Sequence, residues 1–458
     1  MSHRFISTKR GNVSLHLLPT TKYYNAYLTV SIVNNGEINE QMYSLLGRLL
    51  WTAGGAGLSE SAKRERLCQL YGASCTYNIE QKGSNQILSY TIKVLQPSDS
   101  EVGSSPSREA LKLLSEMIIR PSGLNCFDSE RLREEVDGLR YAVNQEAHDP
   151  SSLLKSRCLS YIGYESHSAD NCKDGEEAPW TIEEHHIYEA YEKAIRLPMH
   201  IHIVGNVLPS HYRDDVLSWF TPPSPAVQEQ GDAILMPSGN NIASGSSISS
   251  ENRIPSASST PYAPLSSGKE HSLMIEHGNF NQCKLNITYM THVPYGSPAY
   301  AALFVFHKLF AAGPMSRLNR ELRRRNQLVY QVMSELDRFR RLMHINTGTT
   351  VGNMSDILSI IDRELEQIAA GKLDAAEITQ AIEGVLHFMK VGIDLPEQEI
   401  DIHLDQCLTG TTMDTTDFLA HITAVTADDI VQIALNLEKA VTWVLFPNET
   451  LDRSGKGA

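Results

Sequence analysis

The stretch LDAAEITQAIEGVLHFM, Leu373 to Met389, has an earlier counterpart in FDSERLREEVDGLRYAV, Phe127 to Val143. Without gaps, Asp128 falls on Asp374 and Val136-Asp137-Gly138-Leu139 on Ile382-Glu383-Gly384-Val385, an offset of 246. The same offset sets Glu192-Lys193-Ala194 against Glu438-Lys439-Ala440. Upstream of each copy lies an amphipathic helix pattern. One is REALKLLSEMIIRP, with Leu111, Leu114, Met117 and Ile118 on one stripe and Pro121 as its stop. The other is MSDILSIIDRELEQIAAG, with Ile357, Ile361, Leu365 and Ile368 in line and Gly371 as C-cap. Downstream of each comes a short strand pattern, HIHIVGNV and VTWVLFP. A repeat of this length predicts a duplicated domain, not a solenoid.

Each copy opens with strands. NVSLHLLP, AYLTVSIV and the pair ASCTYNIEQKGSNQILSYTIKV alternate as half-buried strands do, with Gly83-Ser84-Asn85 as the turn. KLNITYMTHV and LVYQVMSEL repeat the pattern in the second copy. Strands followed by long helices predict an α+β class: two homologous domains, each a mostly antiparallel sheet packed against helices. Between them, residues 222–270 are rich in Ser, Pro, Gly and Asn and poor in large apolar side chains. Such a composition buries too little surface to offset the entropy of ordering, so it predicts a flexible linker. The expected domains are 1–221 and 271–458.

Composition narrows the function classes. Asp and Glu number 54 against 40 Lys and Arg, a net charge of −14, which disfavours a phosphate-binding surface. The N-terminal stretch lacks the apolar core and small-residue cleavage site of a secretory signal. The longest apolar run, Ala299 to Phe306, falls far short of the roughly 20 residues that span a bilayer. Seven scattered cysteines without a C-x-x-C pair argue against a disulfide framework and a thiolate zinc site, and predict a reduced, cytoplasmic protein.

Against that acidic background, MSRLNRELRRRNQLVYQV (Met315 to Val332) sets Arg317, Arg320, Arg323, Arg324 and Arg325 ahead of a tyrosine. Leu318 and Leu322 predict the buried side of a helix over about Ser316 to Asn326, with Arg323 flanking it. A turn at Asn326-Gln327 then leads into a strand on which Leu328, Tyr330 and Val332 share a face. Such a turn can bring Arg323 and Tyr330 together. The arginines do not alternate with aromatics as a single-strand stacking platform would, so nucleic acid is not the expected partner.

Two similar α+β halves with this Arg-rich motif resemble the pitrilysin/insulinase-type (M16) zinc metallopeptidases, above all their short two-domain branch. The resemblance spans the chain apart from the linker. In that family an Arg is followed seven positions later by a Tyr, and Arg323 and Tyr330 match. The family's first half carries H-x-x-E-H, whose two imidazoles bind zinc from one helix face while the Glu activates the bound water; a Glu farther along is the third ligand. No H-x-x-E-H occurs in this sequence. Aligned through LYGASCTYNIE, its positions hold Ser44, Leu45, Leu46, Gly47 and Arg48, and the third-ligand position falls at Ala142 or its neighbour Tyr141.

Other histidines offer no replacement at the level of sequence. His185 and His186 with Glu189 lack a completing ligand, since Ala190 stands where it would be, and read as an exposed helix face. His200 and His202 share one face of a strand, and His344 has no evident partner. No phosphate-cradling glycine loop occurs either. The resemblance therefore implies a non-catalytic subunit of a two-chain peptidase. A partner with H-x-x-E-H would supply zinc and general base, this chain would hold no cofactor, and Arg323 and Tyr330 would grip the peptide carbonyl in trans. The edge strand near ASCTYNIEQ is where the family adds an extended peptide to the sheet. Peptide processing or leader-peptide removal would be the role. The alternative is a non-hydrolytic scaffold for peptide or protein, for example one associated with modification of elongation factor P.

Overall fold

The computed structural model describes residues 4–53, 60–95, 105–119, 129–164, 182–207, 212–222 and 272–448. Nearly all of the expected linker lies outside these residues, as does Pro121. In the first domain, Ile6–Arg10 (β1), Val13–Pro19 (β2), Asn25–Asn34 (β3), Ser74–Lys82 (β4), Asn85–Leu95 (β5) and Met199–Gly205 (β6) make a six-stranded sheet, ordered β1-β2-β6-β3-β5-β4. In the second, Ser272–Gly278 (β7), Cys283–Met290 (β8), Val332–Asp337 (β9), Leu342–Thr349 (β10) and Glu438–Pro447 (β11) are ordered β7-β11-β8-β10-β9. From β2 and from β7 onward the two orders correspond strand for strand, as duplication requires. Both sheets are mostly antiparallel. Each has one parallel pair, β2 with β6 and β7 with β11, because the last strand of each domain enters between β2 and β3 in the first sheet and between β7 and β8 in the second.

The first domain's helices are Glu40–Ala53 (α1), Glu60–Gln69 (α2), Pro106–Ile119 (α3), Ser129–His148 (α4), Pro150–Tyr161 (α5), Glu184–Ala194 (α6) and Arg213–Trp219 (α7). The second domain's are Pro298–Phe310 (α8), Met354–Ala369 (α9), Ala375–Ile393 (α10), Pro396–Thr409 (α11), Thr415–Thr423 (α12) and Ala427–Asn436 (α13). The quoted repeat falls on α4 and α10, and the stripes upstream of it fall on α3 and α9. Gly83 turns the β4–β5 hairpin at φ +67°, and Gly371 follows α9 at φ +73°, conformations open to glycine at no steric cost. One pairing fails. Glu192-Lys193-Ala194 ends helix α6, whereas Glu438-Lys439-Ala440 begins strand β11. That match was coincidence, since the two copies differ in length between α5 and their last strand.

The apolar run Ala299 to Phe306 is α8, buried through Leu303, Val305, Phe306 and Phe310 in the second core. Among the described residues no single helix is long and apolar enough to cross a membrane. Helices α12 and α13 pass that test only together and are bent by 101°.

Each domain also lends a helix to its neighbour. Helix α5 leaves the first domain's own core: Cys158, Leu159 and Ile162 bury against Met290, Leu342 and Val441 of the second sheet. Helix α11 makes the reciprocal contact, with Ile400 against Leu18, Tyr27 and Val204 and Leu404 against Val33 and Ile87 of the first sheet. Beside that contact lies a buried ion cluster. Lys82, at the end of β4, is salt-bridged to Asp401 and lies 2.8 Å from Asp405, both on α11. Arg338 reaches the same two carboxylates at 3.2 and 2.6 Å. Burial raises the Asp405 carboxyl to about 6 even with Arg338 beside it. The cluster therefore holds only while its charges balance.

Lys82→Met leaves two carboxylates facing Arg338 alone and is expected to lower the unfolding free energy in urea by about 3 kcal/mol. Adding Asp405→Leu restores the balance and is expected to recover most of that loss. Additive losses would show that these charges are not coupled.

Candidate functional site

Helices α1 and α4 pack together and bring the aligned zinc-ligand positions to one place. Ser44, half-buried on α1, accepts a hydrogen bond from Gln86 Nε2 at 2.9 Å. Arg48 lies one turn on. Its Nη1 is 3.8 Å from Glu135 Oε2 on α4, and a Cβ built on Gly138 would lie only 2.9 Å from that same Nη1. Glycine at 138 thus makes room for the guanidinium. Gly47, the position of the family's general base, is buried, and its carbonyl accepts from the Tyr90 hydroxyl at 2.9 Å. A Cβ there would meet Leu88 Cδ1 at 2.8 Å and Ile79 Cδ1 at 3.1 Å. Ala142 and Tyr141 are exposed on α4.

This donor set does not fit zinc. The ion needs nitrogen, thiolate or carboxylate ligands, and the aligned positions offer a hydroxyl, a fixed cation and a methyl group. The neighbouring carboxylate, Glu135, is engaged by Arg48. An internal ion pair stands where the resemblance puts a dication, and packing against Leu88 fills the place of the base.

The site opens onto a cavity of about 1210 Å³ between the domains, lined by Ser44, Gln86 and Ala142 on one side and by Tyr300, Phe304 and Phe388 on the other. Strand β4 is the free edge of the first sheet, and its residues from Ile79 to Lys82 border the cavity.

The arginine run divides its work. Arg317 is buried, donating to Glu377 Oε1 through Nε at 2.9 Å and to the Lys372 carbonyl at 2.6 Å. Arg320 reaches Glu377 at 3.3 Å and Arg325 reaches Glu321 at 2.6 Å. These three stitch their segment to α10 and to itself. Arg323 instead points outward, its guanidinium 5.7 Å from the centre of the Tyr330 ring. The predicted helix is a wider π-helical turn at Asn319–Arg325, with Leu318 and Leu322 buried as expected. The expected strand starts later. Gln327 turns the chain at φ +53°, and β9 begins only at Val332. Leu328 to Gln331 therefore lie outside the ladder, and Tyr330 is 84 % exposed while Val329 and Val332 are buried. Neither Arg323 nor Tyr330 lines the large cavity. Tyr330 borders a hollow of about 190 Å³ beside Leu154 and Lys284.

His185 is exposed on α6, and His186 Nδ1 accepts from the Glu183 amide in a helix cap. His344 is buried with Nδ1 3.0 Å from Thr288 Oγ1. His200 and His202 meet His16 and His403, a gathering that reading each motif alone did not reveal.

A family model described as Peptidase M16 inactive domain matches residues 245–385. The second domain is thus similar to the M16 peptidase inactive domain. Over 453 residues it is 21 % identical to the probable inactive metalloprotease YmfF of Bacillus subtilis, covering 97 % of this chain and 98 % of that one. A conserved protein from Enterococcus faecalis shares the fold with TM-score 0.77 at 23 % identity, covering 97 % of this chain and 99 % of its own. The peptidase M16 inactive domain from Pseudomonas fluorescens does so with TM-score 0.70 at 14 % identity, covering 97 % and 98 %.

Gly47, aligned with the family's general base, is a packing position. Gly47→Glu is expected to cost about 2 kcal/mol in urea unfolding through overpacking and burial of a charge, with Gly47→Ala costing less. Unchanged stability of Gly47→Glu would show that the space beside Leu88 is not filled.

Proposed function

We propose that this protein is the non-catalytic subunit of a two-chain M16 peptidase. A partner chain carrying H-x-x-E-H supplies zinc and the general base. Arg323 and Tyr330 act on the bound peptide in trans, and the pair works in the cytoplasm in peptide processing or leader-peptide removal. The observation that carries this reading is the exposed pairing of Arg323 with Tyr330 in a chain whose own α1–α4 position holds an ion pair. In peptide hydrolysis negative charge builds on the scissile carbonyl oxygen. A guanidinium and a phenol presented side by side are suitable donors to that oxygen or to an adjacent peptide carbonyl. Their exposure, away from this chain's own cavity, suits a substrate held against another polypeptide.

A second reading rests on the cavity between the domains. Its size, aromatic wall and bordering β-edge suit a peptide held without hydrolysis, as in a scaffold.

One experiment separates the two. The chain mixed with an H-x-x-E-H subunit from the same source is expected to cleave peptide. Arg323→Ala or Tyr330→Phe is expected to lower that rate roughly 10²-fold, as loss of an oxyanion donor does. Full activity of both variants in the complex would remove the in-trans role.

A further inference from the structure

Four imidazoles and a thiol meet where α11 of the second domain crosses the first sheet. His16 on β2 stands opposite His202 on β6 in the parallel register, ring centres 4.6 Å apart. His403 on α11 closes over them, 4.7 Å from His16 and 5.2 Å from His202 between ring centres. Phe5 lies against His403 at 4.1 Å. One helical turn beyond, Cys407 Sγ is 3.7 Å from His403 Nδ1. One ligating atom each from His16, His403 and Cys407 lie within 4.8 Å of one another.

Hydrogen bonding explains only part of this arrangement. Ser7 Oγ is 2.8 Å from His16 Nδ1, His16 Nε2 is 3.1 Å from His200 Nδ1, and His202 Nε2 is 3.0 Å from His403 Nδ1. A neutral imidazole has one N–H and one lone pair. His403 Nδ1 faces both His202 and Cys407, so it cannot satisfy both. His202 Nδ1 is buried without a hydrogen-bond partner. A cluster built only for hydrogen bonding would not leave a buried ring nitrogen orphaned while crowding lone pairs at its centre.

We propose that His16, His403 and Cys407 form a binding site for a zinc-class divalent cation that clasps the two domains together. Imidazole nitrogen with thiolate sulfur is the donor set that selects a borderline-soft ion over magnesium or calcium. The i, i+4 spacing of His403 and Cys407 presents both from one helix face, and His16 arrives from the other domain. Ser7 Oγ, accepting from His16 Nδ1–H, fixes the tautomer that leaves Nε2 its lone pair. These three protein ligands, drawn from both domains, would give the ion a cross-linking role, with one position of a tetrahedral site left to a further ligand. Binding forms a metal–sulfur bond and releases the Cys407 thiol proton to solvent. The site is separate from the α1–α4 position and has no part in hydrolysis.

The test uses the full chain, stripped with a chelator and titrated with Co²⁺, then with Zn²⁺ in competition. The expected result is one equivalent of Co²⁺ with tetrahedral visible bands and a sulfur-to-cobalt charge-transfer absorption in the near ultraviolet, displaced by Zn²⁺. Cys407→Ser is expected to lose the charge-transfer absorption, and His403→Gln to lose stoichiometric binding. Ser7→Ala is expected to weaken binding roughly 10-fold. Cys68→Ser, at an exposed thiol, is expected to change nothing. As a second measurement, Zn²⁺ should raise the thermal midpoint of the parent chain and leave that of His16→Gln unmoved. Absence of stoichiometric Co²⁺ binding to the parent chain, or a charge-transfer absorption that survives in Cys407→Ser, overturns the proposal.

Discussion

The reciprocal seating of α5 and α11 is the constraint on which the rest of the molecule depends. Each helix follows immediately on the repeat helix of its own domain, yet each buries its apolar face on the other domain's sheet. Neither domain covers its sheet alone, so the pair behaves as one unit. The exchange brings Asp401 and Asp405 to Lys82 and lays His403 and Cys407 over His16 and His202. Function in this chain is therefore read from what lies between domains as much as within them.

The positions aligned with the family's zinc ligands are filled structurally as well as chemically. Removing ligands alone would leave a polar gap between α1 and α4. Here Arg48 spans it to Glu135, Gly138 makes room, and Leu88 and Ile79 pack where a glutamate stem would stand. An arginine paired across two helices replaces the bridging role of a metal and contributes none of its Lewis acidity. Arg323 and Tyr330 lie side by side on the surface beyond the turn at Gln327.

Much of the architecture was legible because its signals are local. Period-3.6 stripes marked α3 and α9, Gly83 marked the hairpin, and the duplicated stretch gave α4 and α10 and the two-domain plan. What was hidden depends on pairing over distance. The parallel insertion of β6 and β11 leaves no mark in either strand. The turn at Asn326-Gln327 was legible, but not that the chain runs on outside the ladder from Leu328 to Gln331 before β9 begins at Val332. The Glu192 and Glu438 match shows how three residues can agree by chance once loop lengths diverge. The closeness of Arg323 and Tyr330 was expected from the resemblance, and their side chains do meet, guanidinium to ring. The histidine cluster was missed because His16, His202 and His403 come from three distant segments, each with one or two unremarkable rings. The His403 and Cys407 spacing on one helix, with two histidines alternating on a strand, was the available signal.

As the proposed non-catalytic subunit, this polypeptide alone is expected not to hydrolyse peptides. The most direct measurement is turnover of a diverse peptide mixture by the homogeneous chain in buffer containing zinc, followed by mass spectrometry of the products. An unchanged mixture is expected at every zinc concentration. New peptide termini that accumulate with time and in proportion to the amount of this chain would contradict it.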